Sequence, residues 1–113
     1  MKTLLLVEDN PGELEAYRIC AKAEGFEVTG IIFPGQLTKQ IREQEFDLAL
    51  IDGLNGGYNL VYSKIKAKRK VVYSNDCMVL NQARTKGWEA ESKTGKSLRE
   101  ILEQSQQEQG ETR

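Results

Sequence analysis

Short apolar runs alternate with amphipathic stretches along the whole chain. Residues 3–7 form an unbroken apolar run that ends in acid at Glu8, a pattern that suits a strand buried on both faces. Asn10-Pro11-Gly12-Glu13 then predicts a helix start, with Asn10 as cap, Pro11 at the first helical position and Glu13 where a capping-box carboxylate belongs. Leu14, Tyr17 and Ala21 share one face of that helix, and Gly25 closes it. Residues 26–33 predict a second strand, Pro34-Gly35 a break, and residues 36–44 a short polar helix anchored by Leu37 and Ile41. Residues 46–51 predict a third strand, again ending in acid, at Asp52.

Asp52 opens a Gly-rich loop, Gly53-Leu54-Asn55-Gly56-Gly57. Beyond it the pattern predicts a helix over 58–67, a fourth strand over 71–73 ending at Ser74, and a helix over 76–86. A short strand over 88–92 runs into Lys93, and Leu98, Ile101 and Leu102 mark a final amphipathic helix over 97–104. Residues 105–113 are Gln/Glu-rich without an apolar anchor and are expected to fray, so the domain is expected to span 1–104. Strands alternating with helices predict an α/β fold: a flavodoxin-like three-layer sandwich with a five-stranded parallel sheet in the order 2-1-3-4-5.

Composition narrows the chemistry. The 113 residues carry 16 Lys+Arg against 17 Asp+Glu, a net charge of −1 that gives no global pull toward nucleic acid or an anionic membrane. Histidine is absent, which excludes His-based metal sites, Ser-His or Cys-His catalysis and a phosphohistidine carried by this chain. Cys20 and Cys77 are too few and too far apart for a disulfide framework or a zinc knuckle, and reduced, buried thiols are expected. No segment approaches the ~20 apolar residues of a membrane span, and the N-terminal run is too short for a signal-peptide core. A cytoplasmic protein, monomeric or weakly dimeric, is the expectation.

In an open parallel sheet ligands bind beyond the carboxyl ends of the strands. Here the first run ends in Glu8-Asp9, the third in Asp52, the fourth in Ser74, and the fifth enters Lys93. Singly, such residues are ordinary turn or cap residues; all of them in order at the same sheet edge point to a site. Three crowded carboxylates repel, and Mg²⁺ would relieve the repulsion while keeping several waters. Asp52 could then attack phosphorus, with the Ser74 hydroxyl and the Lys93 ammonium placed for the phosphoryl oxygens.

The segments LLLVEDN, DLALID, VVYS and ESK, in that order across nearly the whole chain, resemble the receiver domain of two-component response regulators. The resemblance implies that Glu8, Asp9 and Asp52 hold Mg²⁺ with the backbone carbonyl of Leu54, that Asp52 is the phosphoacceptor, and that Ser74 and Lys93 bind the phosphoryl group. It further implies a histidine kinase or histidine phosphotransfer protein as donor, slow self-hydrolysis, and a stoichiometric acceptor rather than an enzyme. The chain departs from that pattern at Thr94, where the family carries a cis proline, at Glu91, where it carries an aromatic switch, at Asn75, and in the loop after Asp52. The phosphorylation centre is thus complete while the transmitting machinery is altered.

With no residues left for an output domain, the leading expectation is a stand-alone receiver that signals through protein contacts or a phosphorelay. The alternative is a degenerate receiver acting as a phosphorylation-independent binding module. A third signal, residues 90–97, nearly matches a P-loop, but no later strand follows it; the simpler reading is a Thr94-Gly95 turn with Ser97 starting the last helix. Lys64, Lys66, Lys68, Arg69 and Lys70 are read as a solvated helix C-terminus, with a docking patch as the alternative. Trp88 is read as core packing in preference to a partner surface. The loop 53–57 would either cradle a phosphate through its N–H groups or simply be mobile.

Overall fold

Each predicted apolar run becomes a strand of one sheet. The computed structural model describes residues 1–111, with side chains through residue 107. The strands β1 (Lys2–Val7), β2 (Phe26–Ile31), β3 (Glu45–Ile51), β4 (Lys66–Ser74) and β5 (Glu89–Ser92) pair in the order β2-β1-β3-β4-β5. Every pairing is parallel, so all five carboxyl ends reach the same edge. The helices are α1 (Pro11–Ala23), α2 (Lys39–Glu43), α3 (Tyr58–Lys64), α4 (Cys77–Thr85) and α5 (Leu98–Glu111). The expected flavodoxin-like sandwich is what forms.

The alternation of strand side chains divides the core in two. Leu4, Leu6, Leu48, Leu50, Val71 and Tyr73 face α1 and α5, where Leu14, Ala21, Ile101 and Leu102 meet them. Leu5, Val7, Ala49, Ile51 and Val72 face the other way, toward Tyr58 and Val61 of α3 and Val79, Leu80 and Ala83 of α4. Because both faces of β1 and β3 are covered, their carboxyl-terminal halves, Leu4–Val7 and Leu48–Ile51, are apolar and buried without interruption, and the next polar residues fall at the sheet edge.

The largest difference from the sequence reading lies between 58 and 74. The helix stops at Lys64, and β4 begins at Lys66, well before the expected residue 71. Lys66, Lys68, Arg69 and Lys70 therefore belong to a strand and not to a helix C-terminus. Lysines are poor strand formers, but tertiary partners override propensity here. Lys68 pairs with Asp47 at 3.4 Å, Lys70 donates to the Tyr62 carbonyl at 2.9 Å, and Arg69 makes two bonds to Glu89 at 3.0 and 2.6 Å.

Smaller corrections have equally local causes. The 36–44 helix contracts to Lys39–Glu43, with Thr38 accepting the Ile41 N–H and a 3₁₀ turn at Pro34–Gln36 before it. The last helix runs through Glu111, past the expected end at Gln104. Ser105 is buried and accepts from Arg69 at 2.9 Å, Lys2 donates to the Ser105 and Gln106 carbonyls, and Gln106 donates to the Glu24 carbonyl at 2.8 Å. Thr112 and Arg113, the end of the expected tail, lie outside the described residues. Both cysteines are free, but neither is fully buried as expected: Cys20 is half-buried and Cys77 exposed. Trp88 packs, as read: its ring stacks on Tyr62 at 3.8 Å, with the Lys86 ammonium 4.7 Å away.

Candidate functional site

The sheet ladder itself delivers the site residues. Just beyond the strand ends, the Glu8 N–H still reaches the Ile31 carbonyl (3.1 Å), Asp52 N–H the Val7 carbonyl (2.8 Å) and Lys93 N–H the Ser74 carbonyl (3.2 Å). Their backbones thus inherit the rigidity of the sheet, and their side chains project past its edge. A carboxylate oxygen from each of Glu8, Asp9 and Asp52 lies within 4.8 Å of the other two. Lys93 Nζ bridges two of them, 3.0 Å from Asp52 Oδ1 and 2.9 Å from Glu8 Oε1.

Ser74 is buried at the end of β4 and accepts the Asp76 N–H at 3.0 Å. It borders the loop after Asp52 through Gly53, where a Cβ would stand 3.3 Å from Ser74 Oγ and 3.2 Å from Val79. A side chain at 53 would require the Ser74 or Val79 side chain to give way by a few tenths of an ångström. Much of the rest of the loop bonds to itself. Leu54 N–H donates to Asp52 Oδ2, Gly56 and Tyr58 N–H to the Gly53 carbonyl, and Gly57 N–H to the Leu54 carbonyl at 2.9 Å. A carbonyl has two lone pairs, so the Leu54 oxygen retains one.

The donor set fits Mg²⁺. A hexacoordinate Mg²⁺ with ligands at about 2.1 Å places neighbouring oxygens ~3 Å apart and opposite ones ~4 Å apart, within reach of this cluster by small side-chain adjustments. Glu8 is buried, Asp52 half-buried and Asp9 exposed, which gives a hard cation both an anchor and a route in.

Burial sets the local electrostatics. Glu8 is 3% exposed, and desolvation pushes its carboxyl above the ordinary glutamate value of 4.5; the Lys93 bond opposes the shift and the Asp52 charge adds to it. Burial works against the Lys93 ammonium, yet its bonds to Glu8 and Asp52 outweigh this and hold its pKa well above the usual lysine value. The sign for Glu8 follows: a raised folded-state pKa means that the folded protein holds this proton longer than the unfolded chain. Metal-free protein should therefore lose stability, relative to Glu8→Gln, as pH rises through and above 4.5. Urea unfolding of both proteins at a series of pH values measures this. A gap between them that stays constant with pH would contradict it.

The sequence reading missed one participant. Asn10 caps α1 as expected, accepting the Glu13 N–H at 3.1 Å, but the capping box does not close. The Asn10 N–H donates to Glu8 instead, at 3.2 Å, and the Glu13 carboxylate turns into the site, 3.1 Å from Lys93 Nζ. The Tyr17 hydroxyl donates to Glu13 at 3.0 Å. The helical spacing of 13 and 17, beside a predicted acid pair, was the available signal.

The P-loop-like segment does other work. Lys96 pairs with Glu91 at 3.4 Å, while Ser97 and Glu100 exchange side chain-to-backbone bonds at 3.1 and 3.2 Å and cap α5. That matches the simpler reading of the segment.

Neither a protein-family model nor a curated protein sequence matches the chain. Solved structures do. A CheY-like response regulator receiver domain from Methanospirillum hungatei superposes with a TM-score of 0.69 at 20% identity, covering 98% of this chain and 95% of that one. The fold is that of a response-regulator receiver domain. The receiver domain of Francisella response regulator 1452 matches over 100% of both chains with a TM-score of 0.75 at 13% identity. The receiver-fold protein TrrA from Thermotoga maritima, solved in complex with Mg²⁺ and BeF, matches 95% of this chain and 98% of its own at 18% identity and a TM-score of 0.70. Within this receiver fold, Lys93 reaches Asp52 although no peptide bond among the described residues is cis, and Thr94 is exposed.

Proposed function

We propose that the chain is a response-regulator receiver that accepts a phosphoryl group on Asp52 in the presence of Mg²⁺. The observation that carries this reading is the Lys93 ammonium 3.0 Å from Asp52 Oδ1 inside a cluster that also gathers Glu8 and Asp9. The chain has no histidine, so a histidine-borne phosphoryl group must come from a kinase or phosphotransfer partner. An Asp52 oxygen attacks phosphorus, the P–N bond breaks, and its electron pair leaves on the donor's imidazole nitrogen. Charge spread over the phosphoryl oxygens meets the Lys93 ammonium and the Ser74 hydroxyl. Glu8, Asp9, Asp52 and the Leu54 carbonyl would hold Mg²⁺, which when bound supplies positive charge to the transferring group. Output would pass through protein contacts, with Glu91, paired with Lys96, standing where the family carries its aromatic switch.

Incubation with Mg²⁺ and a small phosphodonor such as acetyl phosphate, followed by intact mass measurement, tests the proposal. One phosphoryl adduct is expected, labile to alkali and not formed in the presence of a chelator. Unmodified protein throughout would overturn it in favour of a phosphorylation-independent binding module.

A further inference from the structure

Lys93 has three ammonium protons, and three carboxylates receive them: Glu8 at 2.9 Å, Asp52 at 3.0 Å and Glu13 at 3.1 Å. Glu8 and Asp52 belong to the acceptor site and its metal cluster. Glu13 belongs to neither. It stands on the first turn of α1, 43% exposed, and is held from one turn further along by the Tyr17 hydroxyl at 3.0 Å. The Tyr17 ring lies 5.6 Å from the same ammonium and packs 6.2 Å from the Tyr73 ring, which fixes it against the core. One helix thus presents a carboxylate and an aromatic face, a single turn apart, to one cation.

We propose that Glu13, held by Tyr17, is the positioning residue that keeps the Lys93 ammonium in the acceptor pocket through phosphoryl transfer. The inference rests on the reading of Asp52 as phosphoacceptor. In that reaction Glu8 turns to the metal and the Asp52 oxygen becomes part of an acyl phosphate, so Lys93 must exchange both of these bonds for the incoming phosphoryl oxygens. Glu13 is the carboxylate that neither event engages. Lysine is a flexible four-carbon chain, and without an anchor its ammonium would spend much of its time in water rather than on the phosphoryl oxygens. Tyr17 holds Glu13 so that it does not follow its own preference for solvent.

The test compares wild type, Glu13→Gln and Tyr17→Phe in phosphorylation by acetyl phosphate at saturating Mg²⁺, each also in a Lys93→Ala background. Loss of one charged bond that orients a catalytic group predicts a roughly tenfold slower rate for Glu13→Gln, a smaller loss for Tyr17→Phe, and no further loss from either once Lys93 is gone. A merely structural contact would not show that dependence on Lys93. Equal rates for wild type and Glu13→Gln, or the same slowing with and without Lys93, overturn the inference. Should wild type itself remain unphosphorylated, the acceptor reading falls, and the tether is read from the ammonium resonance of Lys93 in ¹⁵N-lysine-labelled protein. A resonance displaced or lost in Glu13→Gln supports the tether; an unchanged one overturns it.

Discussion

Replacing Lys93 by methionine is expected to lower the stability of the metal-free protein by roughly 3 kcal/mol at neutral pH, the low end of the cost of stripping a buried charge of its partner. The ammonium is 14% exposed and bonds Glu8, Asp52 and Glu13, so its loss leaves three carboxylates facing one another. Methionine keeps the length and apolar stem of lysine, which isolates the charge from the packing. The low end applies because Glu13 reaches solvent and can turn away. Two conditions should restore stability to this variant. Acid should do so by protonating Glu8, whose pKa is raised already in the presence of Lys93. Millimolar Mg²⁺ should do so by supplying the missing positive charge. Urea midpoints across pH, with and without Mg²⁺, measure both effects; a Lys93→Met protein as stable as wild type at neutral pH would show that the ion cluster carries no energetic weight.

Asp52→Asn should behave in the opposite way. Asp52 attracts Lys93 but repels Glu8, and its charge is among the causes that raise the Glu8 pKa. These terms oppose each other, so the isosteric amide should shift the stability of the metal-free protein by no more than about 1 kcal/mol. The response to metal should change far more. Mg²⁺ at a hundred times its dissociation constant stabilises a binding-competent protein by about 2.7 kcal/mol, and most of that gain should vanish with one carboxylate removed from a three-carboxylate shell. Thermal unfolding of both proteins over a Mg²⁺ titration is the measurement. An identical Mg²⁺-dependent rise in Tm would place the cation away from Asp52.

How much of this was legible beforehand depended on burial. β1 and β3 lie inside the sheet, so Leu4–Val7 and Leu48–Ile51 are apolar without interruption and stop sharply at Glu8 and Asp52. The sharp stop is itself the site signal, since it marks where the strand leaves the covered part of the sheet. The first half of β4 was illegible for the converse reason. Its Lys66-Ala67-Lys68-Arg69-Lys70 sequence resembles a helix end, and only partners distant in the chain, Asp47 and Glu89, make it a strand. The extension of α5 past Gln104 depends in the same way on Arg69, Lys2 and Glu24. Glu13 shows a different limit. Its position in a capping box gave it a local role, whereas the ammonium it serves lies 80 residues away in sequence.

The most direct trial is to locate the phosphoryl group. Wild type and Asp52→Asn are treated with Mg²⁺ and a phosphodonor, digested under mild acid, and the peptides fragmented by mass spectrometry. The adduct should fall on the peptide carrying Asp52 in wild type and be absent from Asp52→Asn. A phosphoryl group on any other residue, or equal incorporation by the two proteins, would contradict the account.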